Sequence, residues 1–373
     1  MPTVNEIVRE FGVEYTRLYE YALLPSHQKA LKAIHACRTE QMGSHQQICD
    51  QCGYEHRIFH SCKNRSCPQC YFKRTQQWLK VQEQRLLPVH YFHLVFTLPS
   101  QLRMIIRRHQ KALYPVLFHA ATESLQALAA DKRYVGGKLG ITAVLHTWSG
   151  AMNYHPHLHC LVPGVGINAK GDVLLSREKF LVPVKALSAK FRGRFLELAR
   201  KAVPEENFSV GGNVKKWVVF SKPVKNKNAQ KVLQYLGRYL HRMAISNSSI
   251  LKVENNSVLF RYKKTTDKNG RGKWAVMKLD PKEFLRRFLQ HVLPKGLAKV
   301  RHYGFLAPAA KNKLDQVSRT LKLSAYLKQQ EIPIVEQKEE TNIFDPCPIC
   351  GCTNWKTPWN REAPKVKQVT MPP

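Results

Sequence analysis

Two cysteine pairs near the start of the chain have the spacing of a metal site. Cys49 and Cys52 form one Cys-x-x-Cys pair, Cys67 and Cys70 form another, and fourteen residues separate the two pairs. A zinc ribbon uses such a separation to bring two pairs of thiolates to one tetrahedral ion. We therefore predict a structural Zn²⁺ held by these four sulfur atoms.

Other potential ligands lie close to these pairs and leave the number of zinc ions open. They are Cys37, His45, His60 and Cys62. In one interpretation they are buried thiols and surface imidazoles around a single ion. In the other, some of them bind a second zinc ion, and we include Cys37 and Cys62 among the candidate zinc ligands.

A further group of cysteines stands near the end of the chain. Cys347, Cys350 and Cys352 resemble half of another zinc site and lack an obvious fourth ligand. Zinc at this position would need a distant histidine or a partner chain to complete its coordination. Of the ten cysteines, only Cys160 lies apart from both groups, and such clustering in a reducing compartment favours metal binding over disulfides.

Histidines alternate along the segment HPHLH at 155–159, just before an apolar run. In a strand, residues two apart face the same side, so His157 and His159 can present two imidazoles to one ion. This arrangement suits a divalent cation, Mg²⁺ or Mn²⁺, that keeps open positions for a phosphate oxygen. The alternative is that both are ordinary core or surface histidines. The candidates for a third ligand are His155 first, then His146 and His241.

A basic helix is predicted over residues 227–243, where the sequence is KNAQKVLQYLGRYLHRM. Tyr235 and Tyr239 are four residues apart and therefore lie one turn apart on the same helix face. A tyrosine pair at this spacing is usually core packing, but here basic side chains that could contact DNA accompany it. These are Lys231, Arg238 and Arg242.

A metal on a strand, tyrosines on a helix and a basic surface are the parts of a nuclease that cleaves single-stranded DNA through a phosphotyrosine. Tyrosine has a pKa of about 10 and is a poor nucleophile at neutral pH, so the phosphate must be made more electrophilic. A bound divalent metal does this by drawing charge from the non-bridging oxygens. Because the covalent link conserves the energy of the broken bond, this chemistry implies strand transfer rather than degradation.

The charge of the chain indicates a polyanionic partner. With 60 Lys and Arg against 26 Asp and Glu in 373 residues, the formal net charge is +34, and nucleic acid is the commonest such partner. A membrane surface is the other candidate, but no stretch approaches the roughly 18 apolar residues of a spanning helix. Because the N-terminus lacks the apolar core of a secretory signal, we expect a cytoplasmic protein, associated with the nucleoid when it acts. Aromatic residues such as Trp217 or Tyr262 could stack unpaired bases.

Strand and helix patterns alternate in the middle of the chain and predict an α+β sheet domain. The strand patterns are at 90–99, 140–146, 157–162 and 216–221, the helical patterns at 71–87, 101–131, 185–202 and 281–330, and a hairpin turn at 268–270. We predict four regions. They are a helical and zinc-binding domain over 1–87, a nuclease domain over 88–245, a β-hairpin and helical DNA-binding extension over 246–330, and a linker with a Cys-rich tail over 331–373.

Several motifs, in this order, resemble one known family. They are CRTEQMGSH with CDQCG and SCKNRSCPQC, then VFTLP, then HTW with YHPHLHCLVPG, then YLGRYLHR, and finally RHYGFLA. Together they cover most of residues 30–310. The chain resembles the two-tyrosine HUH (His, hydrophobic, His) transposases of the insertion sequence 91 family.

This resemblance implies an HUH-type antiparallel sheet flanked by helices, with a zinc-ribbon-like N-terminal domain. It implies that His157 and His159 bind the catalytic metal and that Tyr235 and Tyr239 are the two nucleophiles, which leave a 5′-phosphotyrosine and a free 3′-OH. The expected partners are single-stranded DNA of the element ends and of the target, and a second copy of the chain. The Cys-rich tail varies more within the family, so its role does not transfer.

Two other functions compete with rolling-circle transposition. A catalytically inert, zinc-dependent DNA-binding repressor would keep the zinc site and the basic surface, with the histidines and tyrosines as core residues. A plasmid-type replication initiator or relaxase would share the HUH chemistry but nick a single origin. The N-terminal zinc region and the RHYGFLA segment favour the transposase.

Overall fold

The computed structural model describes residues 2–70, 86–208, 217–224, 237, 243–264, 272–328 and 346–356. Its helices are α1 (Val4–Leu18), α2 (Pro25–Ala36), α3 (Arg103–Arg108), α4 (Gln110–Ala129), α5 (Val184–Ala202), α6 (Pro281–Leu289) and α7 (Lys311–Lys328). Its strands are β1 (Ser44–Cys49), β2 (Glu55–Phe59), β3 (Tyr91–Thr97), β4 (Lys138–Leu139), β5 (Ile141–Trp148), β6 (Tyr154–Pro163), β7 (Val165–Ile167), β8 (Val173–Leu175), β9 (Val218–Pro223), β10 (Ile250–Glu254), β11 (Ser257–Lys263), β12 (Trp274–Leu279), β13 (Val300–Tyr303) and β14 (Trp355–Lys356). Within these residues, no helix has the length and apolar character needed to cross a membrane.

A five-stranded antiparallel sheet in the order β13-β5-β6-β3-β9 lies at the centre of the described chain. Its strands are rich in β-branched and aromatic residues, which fit a pleated surface that is covered on one side. Alternate side chains of β3, namely Phe92, Leu94 and Phe96, are buried in the main core. Strand β6, which carries the HPHLH segment, is the middle strand and has a paired neighbour on each side.

Helices α4 and α5 pack against the buried face of this sheet. In α5 the side chains of Leu187, Phe191, Phe195 and Ala199 recur every four residues and form one apolar stripe. All four are fully buried in the same core as the inward side chains of β3. The histidines described below lie on the other face of the sheet.

The N-terminal helices α1 and α2 belong to a second core. They share it with α6 and with a three-stranded sheet of β10, β11 and β12, so that Ile7 and Phe284 are buried in one cluster. Helix α1 begins at a capping box, in which the Glu6 N–H donates to the Thr3 hydroxyl and the Thr3 N–H donates to the Glu6 carboxylate. The predicted regions 1–87 and 246–330 therefore share a core, although the central sheet separates them in sequence.

Most predicted elements of the middle region have counterparts in the structure. The strand patterns coincide with β3, β5, β6 and β9, the helix over 185–202 coincides with α5, and β11 pairs with β12 as a hairpin. Several predictions fall wholly or almost wholly outside the described residues. They are the helices over 71–87 and 227–243, the hairpin turn at 268–270 and the linker that begins at 331.

The prediction of helix over 281–330 was correct at α6 and α7 and wrong between them. Helix α6 ends at Leu289, and Val300–Tyr303 forms β13 at the edge of the central sheet, with Val300 opposite Val144 of β5. This strand has four residues, which is too short for a visible alternation. Its conformation depends on pairing with a strand that lies far away in sequence.

Gly304, which follows β13 in the RHYGFLA segment, is expected to tolerate no side chain. Its φ of +61° lies in the left-handed region, and a Cβ there would overlap the carbonyl oxygen of Leu139. Gly296 has a φ of +80° but no neighbouring atom within 4 Å of a Cβ. We expect Gly296→Ala to lower the free energy of unfolding by about 1 kcal/mol through backbone strain. Gly304→Ala should lower the thermal midpoint of unfolding by clearly more than Gly296→Ala does. Equal shifts would contradict the close contact with Leu139.

Candidate metal centres and active site

Three histidines on neighbouring strands bring ring nitrogens together on one face of the central sheet. They are His146 of β5 and His157 and His159 of β6, and one nitrogen from each lies within 4.8 Å of the others. His146 is directly opposite His157, and the two-residue repeat of β6 puts His159 on the same side. A divalent cation could bind these three nitrogens and keep other coordination positions open.

Neighbouring polar groups orient two of these rings. The Nδ1 atom of His157 lies 2.7 Å from the His155 carbonyl oxygen. Because a carbonyl only accepts, Nδ1 carries the proton and Nε2 remains for a metal. The Nδ1 atom of His159 lies 2.8 Å from Nε2 of His93 on β3. Contacts of this kind fix the orientation of metal-binding imidazoles.

Burial favours the neutral form of the imidazoles at this site. It lowers the pKa of His157 to about 4, although the hydrogen bond to His155 acts in the opposite direction. The pKa of His93 is also lowered to about 4, first by burial and then by the charge of Lys222. At neutral pH both rings are therefore uncharged, which is the form of histidine that binds metals.

His155, the first sequence candidate for the third ligand, is not part of the cluster. Its Nδ1 accepts a hydrogen bond of 2.8 Å from Nη2 of Arg103 at the start of α3. His146 occupies the third position because the pairing of β5 with β6 sets it opposite His157. The HTW motif was the only local signal for His146, and the other candidate, His241, lies outside the described residues.

A cavity of about 90 Å³ lies at the end of β5, and none of the three clustered histidines is among its lining residues. Its lining includes Trp148, whose ring stacks on His146 with centroids 4.5 Å apart. The ammonium of Lys299, another lining residue, lies 4.9 Å from the Trp148 ring centre, and burial lowers its pKa to about 7. Sequence reasoning had quoted Trp148 only as part of the HTW motif and had not singled out Lys299. Met243 also lines this cavity, so the chain that follows the tyrosine segment meets the end of β5 there.

One four-sulfur cluster, called here the N-terminal cysteine cluster, is formed by Cys37, Cys62, Cys67 and Cys70. The Sγ–Sγ distances are 3.4 Å between Cys37 and Cys70, 3.6 Å between Cys62 and Cys70, and 3.7 Å between Cys37 and Cys67. Four sulfurs bound to a tetrahedral Zn²⁺ at about 2.3 Å stand about 3.8 Å apart, whereas a disulfide requires about 2.05 Å. These sulfurs therefore fit one zinc ion.

A buried asparagine connects this cluster to the helices around it. The Asn5 side-chain amide on α1 donates to the sulfur of Cys67 at 3.6 Å and to the Ile34 carbonyl on α2 at 2.9 Å. Asn5 is fully buried. Such a donor stabilises a thiolate and fixes its direction. Through Asn5, the packing of α1 and α2 in the second core therefore helps to position the sulfur of Cys67.

Cys49 and Cys52 do not join Cys67 and Cys70, so the prediction of one ion between the two pairs was wrong. They lie with two tail cysteines in a second cluster, called here the N–C cysteine cluster. Its members are Cys49, Cys52, Cys347 and Cys350. The β1–β2 hairpin explains the separation, because Cys49 ends β1 at the turn and Cys62 follows β2 at the opposite end. Five paired positions lie between these ends, a length of about 15 Å.

Several other predicted residues stand outside the three clusters. His45 and His60 stack on each other, with nitrogen atoms 3.1 Å apart. The sulfur of Cys352 accepts a hydrogen bond from the Asn354 N–H, and Cys160 is buried in the main core. The tyrosine pair and its basic neighbours lie outside the described residues. These are Lys231, Tyr235, Arg238, Tyr239 and Arg242.

Both the N-terminal part and the middle of the chain match known protein families. A family model described as "Putative transposase" matches residues 140–314, and one described as "Transposase zinc-binding domain" matches residues 7–98. "Putative transposase y4qJ" of Sinorhizobium fredii is 38% identical over 324 residues, which cover 82% of this chain and 80% of the relative. "Transposase for insertion sequence element IS801" of Pseudomonas savastanoi pv. phaseolicola is 28% identical over 337 residues, which cover 85% of this chain and 80% of the relative. No solved structure matches the chain. The chain therefore belongs to the insertion sequence 91 family of transposases, with that family's zinc-binding domain in its N-terminal part.

Proposed function

We propose that this transposase cleaves single-stranded DNA at the ends of its element by metal-assisted tyrosine attack and transfers the strand in rolling-circle transposition. The observation that carries the proposal is the cluster of His146, His157 and His159 on the two paired strands β5 and β6. In a strongly basic protein of a DNA-processing family, three converging imidazoles offer a metal site that a phosphate can approach. Three nitrogen ligands suit Mn²⁺ better than Mg²⁺, which prefers oxygen.

In the proposed reaction a tyrosine side chain replaces a DNA oxygen on phosphorus. A divalent cation at the histidines would supply charge neutralisation at the non-bridging phosphate oxygens. The hydroxyl oxygen of Tyr235 or Tyr239 loses its proton and bonds to phosphorus, and the bond from phosphorus to the 3′ oxygen breaks. The departing oxygen takes up a proton and becomes a free 3′-OH. The 5′ end stays on the tyrosine as a phosphodiester, so a later 3′-OH can reverse the exchange and join a new strand.

The course of the chain supports a tyrosine near the histidines. Tyr239 is four residues before Met243 in the sequence, and four residues span at most about 14 Å. Met243 lines the cavity together with Trp148, and the Trp148 ring stacks on His146. Met243, which follows the tyrosine segment, and the end of β5, the strand that carries His146, therefore meet at one cavity.

The outer face of the β10-β11-β12 sheet has a surface that suits unpaired DNA. Trp274 is 59% exposed, and the Arg261 guanidinium and the Lys263 ammonium each lie 5.4 Å from its ring centre. Exposed aromatic rings stack unpaired bases, and basic side chains beside them neutralise phosphates. Trp217, considered for this role from the sequence, is only 3% exposed in the main core. Tyr262, also considered, packs against the second core.

Replacing Trp274 with alanine should weaken single-stranded DNA binding by about 1–3 kcal/mol, the usual contribution of one stacked base. Because no charge is removed, the salt dependence of binding should stay as in the wild type. Lys263→Ala should instead make the negative slope of log K against log salt less steep by about 0.7, because one phosphate contact is lost. Fluorescence anisotropy with a labelled oligonucleotide measures both effects. Phe180→Ala is the control for an exposed aromatic residue elsewhere, and an equal loss in that variant would contradict the stacking role of Trp274.

Formation of a covalent protein–DNA adduct tests the proposed function directly. Purified protein is incubated with single-stranded DNA spanning its element's own ends and with Mn²⁺, in parallel with EDTA at a level that leaves cysteine-bound zinc in place. We expect a denaturation-resistant adduct only when Mn²⁺ is free, with a 3′-OH on the released DNA that a polymerase can extend. Tight, salt-sensitive binding without an adduct at any metal concentration would contradict the proposal and indicate a catalytically inert DNA-binding protein.

A further inference from the structure

The N–C cysteine cluster joins two parts of the chain that are remote in sequence. Cys52 and Cys347 are 295 residues apart, yet their sulfurs lie 3.6 Å from each other. Cys49 and Cys350 are 301 residues apart with sulfurs at 3.5 Å. Both distances are close to the value of about 3.8 Å for two thiolates on one tetrahedral zinc ion. The matches to known families end at residues 98 and 314 and leave the tail cysteines without a role.

The two halves of this cluster have the same backbone construction. A glycine with positive φ follows the second cysteine of each pair, at +70° for Gly53 and +74° for Gly351. The Gly53 N–H donates to the Cys49 carbonyl at 3.0 Å, and the Gly351 N–H donates to the Cys347 carbonyl at 2.8 Å. Such a turn aims both sulfurs of a Cys-x-x-Cys pair at one point, as in zinc ribbons. Two matching turns that face each other indicate a built site rather than a chance contact of four thiols.

The tail also adds a short strand to the N-terminal hairpin. In β14, Trp355 pairs with Cys49 of β1, and the Asp50 N–H donates to the Asn354 carbonyl at 3.2 Å. The Lys356 ammonium lies 3.3 Å from the Asp50 carboxylate, a partly exposed ion pair that contributes little. Because β14 has only two residues, its hydrogen bonds alone are a weak attachment. The four sulfurs must provide most of it.

We propose that a second Zn²⁺, bound by the N–C cysteine cluster of a single chain, fastens the C-terminal tail to the N-terminal domain. Binding exchanges four thiol protons for one zinc ion and releases those protons to solvent. Attachment of the tail is therefore zinc-dependent. The ion of the N-terminal cysteine cluster holds that domain together without the tail.

The two ions differ in how easily a chelator reaches them. In the N–C cysteine cluster, Cys52 and Cys350 are exposed, whereas the N-terminal cysteine cluster has three buried members and one half-buried member. The ion of the N–C cysteine cluster therefore leaves first during a chelator titration. The tail then separates while the N-terminal domain still holds its own ion.

A single cut in the connecting segment tests the attachment in the full chain. A protease recognition sequence is inserted between residues 330 and 345, and the zinc-loaded protein is cleaved and passed over a gel-filtration column. We expect the tail fragment to co-elute with the rest at the position of the uncut protein, with two zinc ions per chain. Chelator sufficient to remove one ion should release the fragment. A wild-type chain that holds one zinc ion, or a fragment that leaves in the presence of zinc, would overturn the proposal.

Two serine variants of the tail provide a matched comparison. Cys347→Ser with Cys350→Ser should bind one zinc ion and lose the fragment as soon as the chain is cut. Cys352→Ser removes a cysteine of the same tail that lies outside the cluster, and it should bind two ions and retain the fragment. Retention of the fragment by the double variant would contradict attachment by zinc. These readouts are independent of DNA cleavage, so they separate this inference from the proposed function.

Discussion

Replacing both Tyr235 and Tyr239 with phenylalanine is expected to abolish the covalent protein–DNA adduct. Phenylalanine keeps the ring and its packing but lacks the hydroxyl oxygen that would bond to phosphorus. Removing a covalent nucleophile can lower the rate by roughly a million-fold, so the adduct should fall below detection on a denaturing gel. Binding of single-stranded DNA, measured by anisotropy, should be retained because no charge and no ring is lost.

The single tyrosine variants separate the two proposed nucleophiles. If the first makes the initial cut and the second serves the later transfer, one single variant loses the initial adduct and the other loses only the joined product. Tyr262→Phe is the matched control, since this half-buried tyrosine packs against the second core, and it should form the adduct at the wild-type level. An adduct in the double variant would contradict the assignment, and a loss in Tyr262→Phe would point to a folding defect.

The cysteines illustrate how far local spacing predicts a site. All six N-terminal cysteines named from the sequence lie in four-sulfur clusters, because a Cys-x-x-Cys turn brings its two sulfurs together without help from the rest of the chain. Which pairs then meet depends on the length of the β1–β2 hairpin and on the return of the tail. Cys347 reaches Cys52 across 295 residues, and no local pattern carries that information.

In the central sheet too, local sequence predicts the elements but not which of them become neighbours. Runs of aromatic and β-branched residues predicted β3, β5 and β6, because such runs favour a strand whatever its neighbours are. The order of the strands is a property of the whole fold. His155 was therefore ranked before His146 from the sequence, although the pairing of β5 with β6 puts His146 opposite His157.

The second large effect that we expect is a loss of metal affinity in histidine variants, largest in His146→Ala, smaller in His93→Ala and smallest in His155→Ala. It is measured as the Mn²⁺ concentration that adduct formation requires. His93→Ala removes a ring that contacts His159 at 2.8 Å but is outside the cluster. Loss of such an outer contact typically costs about 10- to 100-fold in metal affinity. His146→Ala removes a direct ligand, so its loss should exceed that range, and excess Mn²⁺ should restore only part of the activity.

His155→Ala should keep most of the activity, and the reason is geometric. The backbone carbonyl of residue 155 orients His157, and alanine retains that carbonyl. The ring of His155 is instead hydrogen-bonded to Arg103. Zinc content should be unchanged in all three variants, because the cysteine clusters contain none of these residues; this measurement distinguishes a local loss of metal from general unfolding. If His155→Ala were as damaging as His146→Ala, the third ligand would come from the same strand as His157 and His159, and the metal site would depend on β6 alone. If the order is His146, His93, His155, the catalytic metal is bound across two strands, and strand pairing in the central sheet is itself a requirement for cleavage.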